Sequence, residues 1–460
     1  MHFVWGILMF MILKIILGLI GLGIVVFVHE LGHFLAARSV GIHVEAFSLG
    51  WGPSFLRKKI GGTEWRLSVF PVGGYCKMKG ENDFQKLWEN NLNNAQSEKD
   101  TFLGASAPAR MWVSFAGPLF NIIFAVIVFS IIWGIGFEYT TMDNRIVLVQ
   151  DVLSDIGATP AQEAGLKSGD KIIAIGKRKI ENYRDIQTAI GISGGGTLDF
   201  TVLREGNEMH FTVSPEIDRS TGGGKIGVYY WADPIVADVE EGSAAEAAGI
   251  KAGDRIKSVN GEPLEYSVAL FKVLDEKPKE LNIELLRGNE VINTILSLGE
   301  KGDDLLGIAW ESVQYKTPHY SVFGAIAKGG EDAWTTFYTS VKSLGLLFGR
   351  VDLTEAVSGP VRITYMVGDI AAEGYKQGLG FALRGIINFL ALVSIALAVM
   401  NLLPLPILDG GLIVIFAVEM LRRKPLNPRF IQVFQTAGIA LIAGIMIVAL
   451  FGDIKFLAKG

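Results

Sequence analysis

The sequence predicts a polytopic α-helical membrane protein with four transmembrane helices and, between the second and third, two small α+β domains in tandem. Three observations carry this reading. The 460 residues are 50% hydrophobic with a mean hydropathy of +0.37, too apolar for a soluble chain of this length. Four segments are long enough to cross a hydrocarbon core of about 30 Å as helices. A nine-residue pattern also recurs at an offset of 84 residues inside the long intervening region. The net charge of -5 offers no broad basic surface, so nucleic acid is excluded as a partner. The single cysteine, Cys76, excludes an intramolecular disulfide and reads as a small apolar residue.

The first span is expected near Ile15–Ala37. Residues 4–28 resemble a signal peptide in hydropathy, but the apolar run continues past Val28 without a small-residue cleavage site, which favours a retained helix. The residues before Lys14 suggest no role. The second span is expected near Trp112–Phe137, the third near Leu383–Leu403 and the fourth near Ile431–Phe451. The first loop carries Arg38, Arg57, Lys58, Lys59, Arg66, Lys77 and Lys79, and the last carries Arg422, Arg423, Lys424 and Arg429. Both read as cytoplasmic by the positive-inside rule. Both termini and the region 138–380 then lie outside, which in a bacterium is the periplasm. Lipid bilayer is the expected surroundings.

The repeat pairs Ala164-Gly165-Leu166-Lys167-Ser168-Gly169-Asp170-Lys171-Ile172 with Ala248-Gly249-Ile250-Lys251-Ala252-Gly253-Asp254-Arg255-Ile256. Each copy is followed by a strand pattern, a turn, a helical stretch and another strand. The pattern resembles bacterial PDZ domains, expected at 138–218 and 232–310. Such folds bind extended peptides at a sheet edge; a purely steric cap is the alternative. Residues 319–382 form a further module. Within it, Phe323, Ile326, Trp334, Phe337, Val341, Leu344 and Phe348 recur at roughly helical spacing, suited to the outer membrane surface or to packing on the second repeat. Residues 65–79 read as a cytoplasmic-side β-hairpin turning at Gly73-Gly74. Any part of it at membrane depth must lie against protein or a wet cavity, because bare strand edges are not tolerated in lipid.

His29-Glu30-Leu31-Gly32-His33 fits H-E-x-x-H. On a helix, positions i and i+4 share a face, so both imidazoles reach one ion, and zinc suits two imidazoles with a carboxylate and a water. Glu30 is then beside the metal as the proton acceptor. The alternative, two solvated histidines, conflicts with an apolar span in which a charged group costs about 2.5–3.5 kcal/mol or more. Asp409 is the only acid between Phe389 and Val418. Pro404 and Pro406 break the helix ahead of it, and Gly410-Gly411 permits close backbone approach. Asp409 is the candidate third ligand; a helix cap at the cytoplasmic interface is the alternative.

HELGH in the first span and N-x-x-P-x-P-x-L-D-G-G from Asn401 to Gly411 resemble the two signatures of the site-2 protease family of zinc intramembrane metalloproteases. The repeated middle region is similar to one subgroup, the regulators of sigma-E of Gram-negative bacteria. The resemblance covers essentially the whole chain, with residues 1–137 and 383–460 as its two membrane segments. It implies His29, His33 and Asp409 as ligands of Zn2+ and Glu30 as catalytic base. It implies Asn401 as a group that hydrogen-bonds the substrate backbone, and Gly73, Gly74 and Tyr75 as the turn of a substrate-receiving hairpin. Gly117 and Asn121 match its G-x-x-x-N element. The implied substrates are single-pass membrane proteins, namely an anti-sigma factor after first-site cleavage and remnant signal peptides, at the bacterial inner membrane. Two rival readings are a membrane zincin with Glu as third ligand, against which the isolated Asp409 argues, and a non-enzymatic scaffold with a degenerate site, against which the intact motif argues.

Overall fold

The computed structural model describes residues 2–80, 98, 100–153, 156–218, 223–276, 278–298, 306–347, 360–424 and 426–459. They form two compact units, Met1–Gly136 with Pro318–Gly460, and Phe137–Thr317.

The first unit is helical. Its helices are α1 (His2–Ser39), α2 (Ala107–Ile135), α3 (Val322–Leu347), α4 (Pro360–Gln377), α5 (Leu379–Leu402), α6 (Asp409–Arg422) and α7 (Pro428–Lys459). Four stretches are long and apolar enough to cross a membrane: Ile15–Ser39, Ala107–Ile135, Leu379–Leu402 and Val433–Ile454. These are the four expected spans, each shifted by a few residues. Pro108 sits in the first turn of α2, where its missing N–H costs nothing. α1 and α2 touch backbone to backbone: a Cβ on Gly32 would strike the Ala116 carbonyl. Around this contact Ala36, Ala37, Val113, Ala116, Ile415 and Phe416 form a buried core that joins α1, α2 and α6.

Between α1 and α2 lies a sheet of β1 (Val44–Ile60) and β2 (Thr63–Met78). Its turn is Gly61-Gly62, both at positive φ, where Ile60 faces Thr63. Residues 46–49 have partners on both sides: Phe47 faces Cys76 across one ladder and Trp65 across the other. Gly73, at φ 87, is a bend inside β2. The sheet is thus larger than the expected hairpin at 65–79, and the residues before Ile60 supply strands that the sequence pattern did not signal.

α3 lies along α2. Gly329 packs on Ser130, Ala325 on Gly134, and Asp332 accepts a 2.6 Å hydrogen bond from Trp133 Nε1. Phe323, Trp334 and Tyr338 remain exposed on its other side. Small residues thus seat the helix, and its aromatic stripe stays outward; Phe348 lies outside the described residues. α4 packs on α1 at Gly18 and Thr364 and on α5 at Gly374 and Ala382.

In the second unit the repeat is visible in three dimensions. Two four-stranded sheets share one strand order, 178–179, 171–175, 198–204, 207–213 in the first and 262–263, 255–259, 280–287, 290–297 in the second. Each has a companion ladder, Ile146–Leu148 with Val228–Tyr230 and Val236–Val239 with Ile308–Trp310. The repeated motif is structural. Gly165, Gly169, Gly249 and Gly253 all have positive φ. Asp170 and Asp254 are buried and accept from the backbone N–H of Lys167 and Lys251, each at 2.8 Å. Arg204 and Arg287 grip them bidentately at 2.7 Å and also donate to the Gly165 and Gly249 carbonyls. Residues 138–141 pair with 313–316, so the chain enters and leaves the unit side by side.

Candidate metal centre

Three side chains from two distant parts of the chain converge within the helical unit. His29 and His33 lie one turn apart on α1, both buried, with Nε2 atoms 3.2 Å apart. Asp409 opens α6, its Oδ2 3.3 Å from His29 Nε2 and its Oδ1 3.4 Å from His33 Nε2.

The second nitrogen of each imidazole explains which atom points inward. His33 Nδ1–H donates to the Val113 carbonyl at 2.8 Å. A carbonyl only accepts, so Nδ1 carries a proton, and in the neutral imidazole Nε2 then presents its lone pair toward Asp409. His29 Nδ1 lies 3.2 Å from the Asn121 side-chain amide, whose oxygen has no partner as placed. Amide nitrogen and oxygen are interchangeable in assignment. With the amide turned over, His29 Nδ1–H donates to Asn121 Oδ1 and His29 Nε2 also faces inward. Asn121 is itself anchored, because Ser394 donates to its carbonyl at 3.1 Å.

The two imidazole Nε2 atoms and a buried carboxylate then meet at one point. Asp409 Oδ2 has no hydrogen-bond donor. With both Nε2 atoms unprotonated the set calls for a cation among it, and protonated imidazoles would meet the same carboxylate as ion pairs. One ligand atom from each residue lies within 4.8 Å of the others. Ligands about 2.0–2.1 Å from a tetrahedral zinc are roughly 3.3 Å apart, which matches the 3.2–3.4 Å separations. The donor set fits zinc.

Local sequence builds this cradle. A Cβ on Gly117 would fall 2.6 Å from His33 Cε1 and 2.8 Å from His29 Cε1, so only glycine lets α2 cover the imidazoles. Between α5 and α6, Pro404 and Pro406 interrupt the helix, and Ile407 adopts φ 79, a strained value for a β-branched residue. Gly410 and Gly411 pack directly on the carbonyls of Leu402, Leu403 and Leu405. This tight turn delivers Asp409 to the imidazoles.

Glu30 is half-buried beside them, and its carboxylate accepts from the Cys76 backbone N–H of β2. A Cβ on Gly74 would lie 3.4 Å from Glu30 Cγ and 2.8 Å from the Ser48 carbonyl, so the bend of β2 abuts this residue. Gly73 passes under the Trp51 indole, and the Tyr75 hydroxyl accepts from Arg66 at 3.0 Å. Of the three, Gly74 thus abuts Glu30, while Gly73 and Tyr75, its neighbours in β2, contact Trp51 and Arg66. Asn401 is half-buried in the last turn of α5.

Residues 17–445 match the model of Peptidase family M50. The chain belongs to this family. It is 38% identical to a protein of Treponema pallidum (strain Nichols) provisionally named a zinc metalloprotease, over 97% of this chain and 99% of that one. A Borreliella burgdorferi protein with the same provisional name is 32% identical over 96% and 98%. The regulator of sigma-E protease of Salmonella typhimurium (strain 14028s / SGSC 2262) is 29% identical over 95% and 97%. As an M50 peptidase the chain is a zinc-dependent metalloprotease with membrane-spanning helices.

Three contributors to the site escape sequence reading. Val113 and Cys76 act through backbone atoms, which leave no signature. The third is a buried ion pair, Arg110 Nη2 to Glu419 Oε2 at 2.9 Å, which ties the start of α2 to α6. Arg110 also lies over the Phe416 ring at 4.5 Å, and Glu419 Oε1 accepts from the Leu426 N–H. Two opposite charges in apolar helices were the available signal.

Proposed function

We propose that the chain is an endopeptidase of transmembrane segments, with zinc held by His29, His33 and Asp409 and with Glu30 as the catalytic base. The observation that carries this is the convergence of the three ligands on α1 and α6, inside a bundle whose helices are apolar enough to span a membrane. Zinc supplies Lewis acidity toward a peptide carbonyl and brings the pKa of water to about 7. Glu30 takes a proton from the attacking water and returns it to the leaving amine. Asn121 and the Val113 carbonyl hold the imidazoles in the tautomer that leaves Nε2 free.

A helical substrate has its carbonyls locked in hydrogen bonds and must open locally. The bend at Gly73, Gly74 and Tyr75 is the receiving edge, where an opened strand pairs beside Glu30, and Asn401 donates to its backbone. The substrates in this reading are single-pass proteins, an anti-sigma factor after first-site cleavage and remnant signal peptides, processed by regulated intramembrane proteolysis. The sigma-E name of the Salmonella relative supports the first. The location is the bacterial inner membrane, both termini periplasmic.

The repeats at 138–218 and 232–310 are, in this reading, tandem PDZ domains that admit substrates already trimmed outside. A groove of about 440 Å³ lined by Tyr183, Ile186, Ile190, Ile226 and Val228 supports a peptide-binding role for the first. Deleting 138–310 should make cleavage indifferent to trimming; retained selectivity would remove the filter. A reporter helix cut by the wild type and left intact by Glu30→Gln supports the assignment of the base, whereas equal cutting by both removes Glu30 from catalysis.

A further inference from the structure

We propose that the outermost strand of the β1–β2 sheet, residues 54–60, is a seat for acidic phospholipids, with Arg57, Lys58 and Lys59 holding their phosphates. The proposal rests on α1 spanning the bilayer with Ser39 at the cytoplasmic surface.

α1 serves as a ruler for the sheet. Arg38 Nη1 donates to the Gly61 carbonyl at 3.2 Å, so the turn of the sheet is level with the end of the helix. At the other end, a Cβ on Gly74 would lie 3.1 Å from Val26. Arg38 to Val26 is about 18 Å at 1.5 Å per residue. The sheet therefore lies along the last three turns of α1, with its turn at the surface and its far end at the depth of Glu30.

Chemistry along the outer strand follows that depth. Farthest from the turn are Trp51, Phe55 and Leu56, each more than half exposed, with Val69 and Phe70 of β2 beside them. Closer to the turn come Arg57, Lys58 and Lys59, all exposed, with an exposed Ile60 between them and Gly61. This is a gradient along the strand, apolar where hydrocarbon lies and cationic where headgroups lie. The long cationic side chains have the reach to extend toward the surface.

The three cations have only weak compensation from Glu64, which faces Lys59 across the ladder. Among the described residues none of them is ion-paired, and the nearby acids are occupied, Glu64 by Arg66 at 2.6 Å and Glu45 by Lys77 at 2.8 Å. They line a concavity of about 420 Å³ with His43, Glu45 and Glu64. Three cations without ion pairs, outnumbering the two acids of the concavity and lying above exposed aromatic side chains, match an anionic lipid better than a neutral one.

The test uses the full chain in vesicles carrying brominated phosphatidylcholine or, at equal mole fraction, brominated phosphatidylglycerol. The fluorescence share of Trp51 is taken as the difference between wild type and Trp51→Phe. Both lipids should quench it, phosphatidylglycerol about fivefold or more strongly at low salt, from roughly a fivefold preference per cation. The preference should vanish in Arg57→Gln/Lys58→Gln/Lys59→Gln, and for wild type in about 1 M salt, where screening acts within ~3 Å. Equal quenching of wild type by the two lipids at low salt overturns the lipid seat but leaves the immersed sheet standing. Absence of quenching by either lipid overturns the immersion itself.

Discussion

Removing one partner of the Arg110–Glu419 pair should destabilise the helical unit far more than removing both. The side chains are 11% and 5% exposed and 2.9 Å apart. Glu419→Gln leaves the Arg110 guanidinium charged and buried without a counter-ion, and Arg110→Met does the same to the Glu419 carboxylate. Breaking a buried pair from one side costs about 3–5 kcal/mol. The double variant Arg110→Met/Glu419→Leu removes both desolvated charges and should fall within about 1 kcal/mol of wild type or above it. The consequence reaches the metal centre, because Val113, whose carbonyl holds His33, is one turn from Arg110, and Glu419 shares α6 with Asp409. Each single variant should therefore also give up zinc to a chelator faster than wild type. Equilibrium unfolding in mixed micelles gives the coupling energy directly. Losses below about 1 kcal/mol in the single variants, or losses that simply add in the double, would refute the reasoning.

Gly117→Ala should abolish zinc retention while leaving the helix content unchanged: alanine favours helix by about 1 kcal/mol over glycine, but its methyl collides with both imidazoles. Circular dichroism and metal analysis of one preparation separate the two effects. At position 407, glycine tolerates the φ of 79 and proline does not, so Ile407→Gly should retain zinc and Ile407→Pro should lose it. In the second repeat, burial pushes the Asp254 carboxyl up, but the Arg287 guanidinium and the Lys251 N–H outweigh it and hold it below the usual carboxylate range. Its stabilisation is present above the ordinary value of about 3.9 and is lost as pH falls through its lower folded value. Hydrogen exchange across 232–310 should show protection falling at the acid end, and Asp254→Asn should flatten that dependence.

The spans were legible because roughly 20 apolar residues in a row have few soluble explanations. The convergence of His29, His33 and Asp409 was foreshadowed because ionisable residues inside such runs demand a reason, and these had no ordinary one. The repeat was legible through its glycines and Asp170 and Asp254, which are now seen to organise a turn by gripping arginines 34 and 33 residues later. The β1–β2 sheet was only partly legible. Its first strand contains Gly50, Gly52 and Pro53 followed by three cations, which hides alternation, and its inner residues pair on two sides at once. The seat of α3 was not legible either: a stripe of Ala325, Gly329 and Ala333 marks a contact face without naming the helix it meets. Positions 110 and 419 were invisible as a pair because only the folded chain brings them together.

Zinc content of purified full-length variants tests the central claim most directly. Wild type and Glu30→Gln should each carry about one zinc per chain, because Glu30 stands beside the ligand set, whereas Asp409→Ala and His33→Ala should carry almost none. Zinc retained at the wild-type level in Asp409→Ala would contradict the account.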